Sequence, residues 1–368
     1  MSPSLRFPEF TGEWKEERLS EIADIYKGAG ISKDQLSDNG EPCILYGELY
    51  TKYKTETITE VISRTDIDNT KLVRSKANDV IIPCSGETAE DIATARCVIK
   101  DGILLGGDLN IIRLHNYDGS FVSYQLNGKR KYDIAKVAQG VSVVHLYGEH
   151  LKGVKTVNPC LAEQKKISRF LSLLDERIAT QVRLIDRLQS LMIGIAQKIA
   201  HSNKPNVRIS DCLECSSSAL QESEVNKTGK YPVYGANGIV GYIDKYHTQN
   251  EAIYIIKDGS GVGGVSYVTG KCSSTGTLNI LQAKNGHSLK YLYYLLKVFN
   301  FVPYKTGMAI PHIYFKDYGK AKIFCPAYPE QLEYAKLLSS IDGNLRIALD
   351  SLKNFNLQKQ YLLRHMLI

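Results

Sequence analysis

Two stretches of the chain share one alternation of apolar and polar positions. In each stretch apolar residues recur at alternating spacings of four and three, which is the pattern of a coiled-coil seam. The first seam consists of Ile167, Leu171, Leu174, Ile178, Ile185, Leu188, Met192, Ile195 and Ile199, interrupted at Gln181. The second consists of Tyr334, Leu338, Ile341, Leu345, Ala348, Leu352, Phe355, Leu362 and Met366, interrupted at Lys359. We predict one helix over about residues 161–200 and another over about 327–367.

The two seams belong to a longer repeat. Residues 140–199 and 307–366 match one another at a constant offset of 167 without a gap. The shared positions are Gly140/Gly307, His145/His312, Tyr147/Tyr314, Pro159/Pro326, Glu163/Glu330, Gln164/Gln331, Leu171/Leu338, Ser172/Ser339 and Asp175/Asp342. The chain therefore contains two units of one kind.

The segments before each helix predict two globular domains. Residues 1–157 mix short apolar strands with turns rich in Gly, Asp and Asn, which is typical of an irregular α+β domain. Residues 205–324 follow the same plan, while 158–204 and 325–368 hold the helices, the first with a hinge at its end. A short return path would lay the second helix antiparallel to the first. We predict an α+β fold in which two domains are joined by two long antiparallel coiled-coil helices, with an internal pseudo-twofold repeat.

Composition adds modest constraints. The 368 residues carry a formal charge of +7, which slightly favours a polyanionic partner. No apolar run reaches the ~18 residues of a membrane span, so we expect a soluble, cytoplasmic protein. The eight cysteines fit reduced core thiols without disulfides. Cys212 and Cys215 form a C-x-x-C, but no second pair follows, and a metal or redox role is the lesser alternative.

The catalytic motifs that the sequence suggests are each incomplete or in the wrong structural context. Residues 259–264 match G-x-G-x-x-G but lead into a strand pattern, whereas a dinucleotide site needs a helix there. The glycine-lysine segment that ends at Lys271 has the wrong spacing for a P-loop. Asn158-Pro159-Cys160 matches only the first two residues of the N-P-P-F/Y motif of methyltransferases that act on amino groups. We therefore predict no catalytic residues and no metal ligands.

Recognition residues are more evident. The chain has 23 Tyr against 9 Phe and 1 Trp. Tyrosines alternate with basic residues around positions 46–54 and 129–132, which suits contacts with phosphates and bases. The alternative is that most of these tyrosines are half-buried strand residues.

Several segments together resemble a known family. They are residues 6–14, the Gly-x-x-x-x-His-Leu/Ile-Tyr element before each helix, the Pro and Glu-Gln at both helix starts, and residues 231–239. In their order and duplication they resemble the specificity (S) subunit of type I restriction-modification systems, over essentially the whole chain.

The resemblance implies a non-catalytic DNA-reading subunit with two target recognition domains, residues 1–157 and 205–324. Each domain would read one half of a split, asymmetric DNA sequence, and the helices would set the length of the unread spacer. The implied partners are double-stranded DNA, two methyltransferase (M) subunits and restriction (R) subunits. No cofactor is expected in this chain, because S-adenosylmethionine, ATP and magnesium would be held by partner subunits.

DNA contacts vary within the family, so the candidate residues here are chosen by loop position and chemistry. The predicted DNA-binding residues are Tyr50, Lys52, Tyr53, Lys54, Ser85, Lys129, Arg130, Lys131, Ser142, His145, Asn237, Lys305, Thr306 and His312. The second domain is about 40 residues shorter than the first, which prevents a one-to-one mapping of contacts. The competing hypotheses are a self-contained methylase or nuclease and a coiled-coil scaffold without a DNA role.

Overall fold

The computed structural model describes residues 2–68, 70–140 and 143–368. These residues form two compact units, one comprising Met1–Gln181 with Ser351–Ile368 and the other Val182–Asp350. Each unit contains one globular domain and part of each long helix. We call the globular parts domain 1, before the first long helix, and domain 2, between the long helices.

Domain 1 is built from short strands and short helices. Its strands are β1 Lys15–Arg18, β2 Ala23–Lys27, β3 Glu41–Ile44, β4 Thr57–Ile58, β5 Ser63–Thr65, β6 Val73–Arg74, β7 Asp79–Pro83, β8 Ser85–Gly86, β9 Arg96–Val98, β10 Leu104–Leu105, β11 Leu109–Leu114, β12 Val144–His145 and β13 Lys155–Asn158. Its helices are α1 Leu19–Ile22, α2 Glu48–Thr51, α3 Ala89–Ile92, α4 Gly119–Asn127, α5 Lys131–Val137 and α6 Gly148–Leu151. The strands form sheets in the orders β2-β11-β7-β9-β4 and β5-β3-β10-β6, with the two-stranded pairs β1-β13 and β12-β8.

Strand β7 lies between the two cores of domain 1, which explains its continuous apolar sequence. Val80 and Ile82 point into one core with Phe121 of α4, whereas Ile81 points into a second core with Leu105 of β10. Side chains alternate across a strand, so a strand covered on both faces needs apolar residues at every position.

The first long helix, α7 Leu161–Ala200, begins and ends where the seam predicts. Every seam position in it is buried or half-buried.

Domain 2 repeats the plan in a shorter form. Its strands are β14 Val207–Arg208, β15 Leu213–Ser217, β16 Tyr231–Gly235, β17 Gly238–Ile243, β18 Glu251–Ile256, β19 Val265–Thr269, β20 Ser273–Ser274, β21 Leu278–Ala283 and β22 Lys322–Ile323, and its helices are α8 Ile209–Cys212, α9 Leu289–Val298 and α10 Phe315–Tyr318. The sheet order β15-β21-β18-β19 reproduces β2-β11-β7-β9, and the other sheets are β17-β16-β20 and β14-β22. The offset between the domains falls from 190 at α1 and α8 to 167 at α6 and α10, so domain 1 holds 23 more residues between these helices.

The second long helix, α11 Tyr328–Met366, lies within one residue of its predicted limits at both ends. In the first unit, Leu171 and Leu174 of α7 share a core with Leu362 and Met366 of α11. The early half of α7 is thus grouped with the late part of α11, and the second unit holds the complementary halves. This pairing is that of antiparallel helices, and it confirms the predicted fold class.

The repeated glutamines fix each domain to the start of its helix. Gln164 accepts a hydrogen bond from the backbone N–H of Asp118, the cap of α4, and donates one to the carbonyl of Pro159, at 2.9 and 2.8 Å. Gln331 accepts from the N–H of Ser288, the cap of α9, and donates to the carbonyl of Pro326, both at 2.8 Å. A side chain with both donor and acceptor suits this bridge. No helix in the described residues is long and apolar enough to cross a membrane.

Candidate nucleic-acid interface

The repeated Gly and His belong to the same hairpin loop in both domains. We call residues 139–147 and 306–314 the His–Tyr loops. Gln139 and His145 exchange backbone hydrogen bonds of 2.9 and 2.7 Å, and Thr306 and His312 exchange bonds of the same lengths. Ser142, a predicted contact, lies outside the described residues.

Glycine is required in these loops for two reasons. Gly140 has φ +123° and Gly307 has φ +86°, in the left-handed region that side chains disfavour. A Cβ on Gly140 would also collide with the carbonyl oxygen of Val143, and one on Gly307 with that of Ile310. The repeated glycine is therefore needed for the backbone geometry of both loops.

Each loop presents a stacked His–Tyr pair. The rings of His145 and Tyr147 are 6.2 Å apart at 26°, and those of His312 and Tyr314 are 6.5 Å apart at 21°. Tyr147 is 53% exposed and Tyr314 46% exposed, so both present aromatic surface to solvent. The loops also expose apolar side chains, with Val143, Met308 and Ile310 at 54%, 105% and 58%.

The surroundings of the two pairs differ. His145 is exposed and lies opposite Ser85 in the β12–β8 pair. His312 is half-buried, and its Nδ1 lies 2.7 Å from Oδ1 of Asp258, which occupies the facing position. One loop frame therefore carries different hydrogen-bonding groups in each domain.

A large cleft in domain 1 adjoins its His–Tyr loop. The cleft has a volume of about 940 Å³ and is lined in part by Lys27, Lys33, Tyr46 and Asp108. A smaller depression of about 300 Å³ shares Lys27 and Asp108 with it and also includes His145 and Tyr147. Lysines, a carboxylate and an aromatic pair are thus brought together although they come from separate parts of the sequence.

In the run at 50–54 the two tyrosines are more enclosed than the sequence suggests, whereas the two lysines are exposed. Tyr50 is half-buried; its hydroxyl donates to the carbonyl of Ser85 at 3.2 Å, and burial raises the pKa of this phenol. Lys52 is held by Glu48 at 2.7 Å and by Ser63 at 2.6 Å. Lys54 is exposed, and its ammonium donates to the carbonyl of Tyr50 at 2.6 Å.

Tyr53 corrects the sequence prediction. It is 6% exposed, its ring belongs to the second core of domain 1, and burial raises its pKa to about 12. Its hydroxyl accepts a hydrogen bond from the N–H of Ile62 at 3.2 Å. The alternative reading, a half-buried or buried structural tyrosine, holds at this position, and Tyr53 is not part of the interface proposed below.

The other predicted residues occupy several surface segments. Lys129 is exposed, Arg130 pairs with Asp133 at 3.5 Å, and Lys131 is half-buried at the start of α5. In domain 2, Asn237 is exposed in the turn between β16 and β17, where Gly238 has φ +103°. Lys305 and Thr306 are exposed at the beginning of the second His–Tyr loop. For these residues a role in DNA binding stays a prediction.

Four candidate DNA-binding residues were not predicted from the sequence. Tyr147 and Tyr314 stand in the repeated motif, and their common offset was a signal for them. Lys27 and Asp108 carry no such signal, because the cleft that joins them is formed by distant segments. Asp108 has φ +58°, a conformation that Asp tolerates better than most residues.

The structure accounts for the glycine-rich segment and for the state of the cysteines. Residues 259–264 form the turn between β18 and β19, so a strand follows them, as predicted. All eight cysteines are free.

Comparison with known proteins places these features in a family. Residues 11–190 and 202–354 match the model of the family described as type I restriction modification DNA specificity domain. A type I restriction enzyme specificity subunit of Haemophilus influenzae is 25% identical over 123 residues, covering 33% of this chain and 32% of that protein. The EcoprrI specificity subunit of Escherichia coli is 25% identical over 112 residues, covering 30% of this chain and 28% of that protein. The matched segments span about a third of the length of these curated relatives.

Solved structures share the fold. The S subunit of a type I restriction-modification system from M. genitalium has a TM-score of 0.74 at 18% identity, covering 100% of this chain and 99% of its own. A chain from a structure describing complex assembly and conformational transition of the type I R-M system has a TM-score of 0.53 at 14% identity, covering 96% and 97%.

Proposed function

Because the chain belongs to the family of type I restriction-modification DNA specificity domains, we propose that it reads a bipartite, asymmetric DNA target, one half with each domain. The observation that carries this proposal is the pair of His–Tyr loops. The same pair of backbone hydrogen bonds closes both loops, whereas the group facing the histidine is Ser85 in domain 1 and Asp258 in domain 2. Equal frames with unequal chemistry suit the reading of two different half-sites.

Phosphate and base contacts would come from different residues. Lys27 and Lys33 line the domain 1 cleft and suit the DNA backbone, which lysines contact as point charges. The exposed Tyr147 and the carboxylate of Asp108 suit base edges, since carboxylates accept hydrogen bonds from base amino groups. In domain 2 the corresponding contacts would be made by Tyr314, with Asn237 and Lys305 as further candidates.

Catalysis in this proposal belongs to the partners. The chain would direct methylation and cleavage by M and R subunits, which would hold S-adenosylmethionine, ATP and magnesium. The specificity role of the family supports this division of labour.

Recurring exposed apolar positions on the long helices support binding of two M subunits. Phe170 is 39% exposed, and Leu337, its counterpart at the offset of 167, is 48% exposed. Equivalent surfaces in a duplicated scaffold bind equivalent partners. A charge at either position should remove one M subunit, and charges at both should remove two.

Mass measurement of the assembled complex tests the partner proposal. Phe170→Glu and Leu337→Glu should each give one M subunit per chain, and the double variant none. Ile193→Glu is the matched control, because Ile193 is 46% exposed, lies about 140° around α7 from Phe170, and has the polar Gln360 as its counterpart. Two M subunits retained by the double variant would contradict the proposal.

Genome-wide mapping of N6-methyladenine tests the reading of DNA. With its M partner co-expressed, Tyr147→Ala should relax one half-site and Tyr314→Ala the other, each by about 1–3 kcal/mol per lost base contact. Tyr361→Ala, at a tyrosine that is 57% exposed on the long helix α11, should leave both half-sites unchanged. Relaxation of both half-sites by one variant would contradict the division between domains.

Binding and activity of the purified chain separate the competing classes. Methyl transfer to DNA without a partner would indicate a self-contained enzyme. Absence of any salt-dependent affinity for duplex DNA, measured on the assembled complex, would indicate a scaffold without a DNA role.

A further inference from the structure

Three potential metal ligands meet where domain 2 joins the second long helix. Cys212 ends α8, His287 directly precedes the cap of α9, and Cys325 lies between β22 and α11. One ligand atom from each residue lies within 4.8 Å of the other two. Cys212 is fully buried, Cys325 is 6% exposed and His287 is half-buried, so the cluster lies mostly inside the domain.

The matching joint in domain 1 is held by different chemistry. Tyr117 precedes the cap of α4 as His287 precedes that of α9, and Asn158 precedes Pro159 as Cys325 precedes Pro326. The Tyr117 hydroxyl and the Asn158 amide donate to the two carboxylate oxygens of Glu17, at 2.9 and 3.0 Å. One carboxylate therefore ties these segments together.

Domain 2 has different residues at the three positions that correspond to this network. Val207 stands at the position of Glu17, and His287 and Cys325 replace Tyr117 and Asn158, while Cys212 replaces Ile22. Nδ1 of His287 is buried and has no hydrogen-bond partner among the described residues. A buried imidazole nitrogen without a partner is costly, and here it lies in a residue grouped with two thiols.

We propose that Cys212, His287 and Cys325 bind a zinc-class divalent cation that fastens this joint. Thiolates and an imidazole are the ligands that zinc prefers in proteins. Zinc–sulfur bonds of ~2.3 Å in tetrahedral geometry require ligand atoms roughly 4 Å apart. The three ligand atoms of the cluster lie within 4.8 Å of one another. Water or an added small ligand completes the fourth position.

The site is distinct from the C-x-x-C motif. Cys215 lies within β15, is half-buried and is outside the cluster. Of the two cysteines in the motif, only Cys212 belongs to the proposed site. The other two ligands of the site lie 75 and 113 residues further along the chain.

Metal analysis of the full-length chain tests the proposal. Protein purified under reducing conditions without chelator is expected to hold about one zinc ion per chain by elemental mass spectrometry. Cys325→Asn and Cys212→Ile, which introduce the domain 1 residues, should lower retained zinc at least ~10-fold. Cys215→Ser and the exposed Cys160→Ser are matched controls that should retain it.

Cobalt titration of the unmutated chain provides a readout that does not depend on the folding of variants. Co²⁺ should give a thiolate-to-metal charge-transfer band that saturates at about one ion per chain. No band and no zinc in the unmutated chain would overturn the proposal, as would equal zinc in Cys325→Asn and Cys215→Ser. A Cys212–Cys325 disulfide in the unreduced chain, found by peptide mass mapping, would also overturn it.

Discussion

Lys359 interrupts the seam of α11, and its replacement by Met gives the sharpest test of how the first unit is held together. Its ammonium lies 2.8 Å from Oε2 of Glu56 and 2.7 Å from Oδ1 of Asp175. The three side chains are 16%, 10% and 6% exposed, so the ion triad is largely removed from water. Met is a conservative choice, because Met192 occupies the counterpart position in α7.

The expected loss is large because two carboxylates stay buried without their cation. Removing one partner of a buried ion pair costs about 3–5 kcal/mol. The Tyr124 hydroxyl still donates to Asp175 at 2.6 Å, which keeps the loss toward the lower end of that range. We expect Lys359→Met to destabilise the first unit by about 3 kcal/mol at neutral pH.

The loss should depend on pH. Burial raises the pKa of Asp175, and attraction to Lys359 opposes that rise, so the variant should raise this pKa further. A carboxyl whose folded pKa is raised contributes stability below its unfolded pKa of about 3.9 and loses it as pH rises through the folded pKa. The difference between variant and parent should therefore shrink as pH is lowered from neutral.

The single tryptophan provides the assay. Trp14 is 3% exposed and belongs to the core that contains Leu362 and Met366 of α11, so its fluorescence reports unfolding of the first unit. With a urea m-value of ~2–3 kcal/mol/M, the midpoint should fall by about 1 M or more.

Arg169→Met is the matched control for the triad, because Arg169 lies in the same unit as Trp14. Arg169 pairs with Glu176 at 3.6 Å, but the two side chains are 68% and 64% exposed. An exposed pair contributes about 0–1 kcal/mol. At neutral pH, a urea midpoint for Lys359→Met within ~0.3 M of the parent midpoint corresponds to a loss of stability of ~1 kcal/mol or less, and it would refute the triad argument. So would a loss that grows on acidification.

Three further predictions concern the interface and the helices. Gly307→Ala should weaken discrimination of the second half-site, because its Cβ would meet a backbone carbonyl. Gly270→Ala, with open space at a similar φ, should not, and methylation mapping compares the two. Lys27→Ala should weaken DNA binding across all sequences and lower the salt slope by ~1, measured by titration at several salt concentrations. The long helices are expected to set the length of the DNA spacer. Inserting four residues after Arg183 and four after Asp350 should lengthen each helix by ~6 Å and the recognised spacer by about one or two base pairs. An active enzyme that recognises an unchanged spacer would contradict this.

The long helices could be predicted from the sequence because their information is local and repeated. A seam with four-three spacing needs no knowledge of distant residues, and the offset of 167 showed the same pattern twice. The His–Tyr loops were found for the same reason, since Gly140 and Gly307 are needed for backbone geometry at both copies.

The candidate interface was harder to predict because exposure depends on residues far along the chain. Lys52 is exposed and lines the cleft, although its ammonium also contacts Glu48 and Ser63, whereas the ring of Tyr53 is buried in the second core of domain 1. Conversely, Lys27 and Asp108 can be recognised as candidate binding residues only when the fold shows that both line the cleft. Interleaved Lys and Tyr in a sequence indicate a composition suited to DNA, but they do not specify which side chains reach the surface.

The duplication has been conserved where it fixes geometry and has diverged where it contacts a variable group. Gln164 and Gln331 make the same two hydrogen bonds at the same joint, because a helix cap and a proline carbonyl have to be satisfied in either domain. Beside that joint, Glu17 in domain 1 is replaced by Val207 in domain 2, and the cluster around Cys325 takes over the same position. The joint has to be closed, but different side chains can close it, whereas the repeated glycines keep a positive φ in both loops. The same distinction accounts for two His–Tyr loops that are closed by the same pair of backbone hydrogen bonds but face different side chains, which is the property that the proposed reading of two DNA half-sites requires.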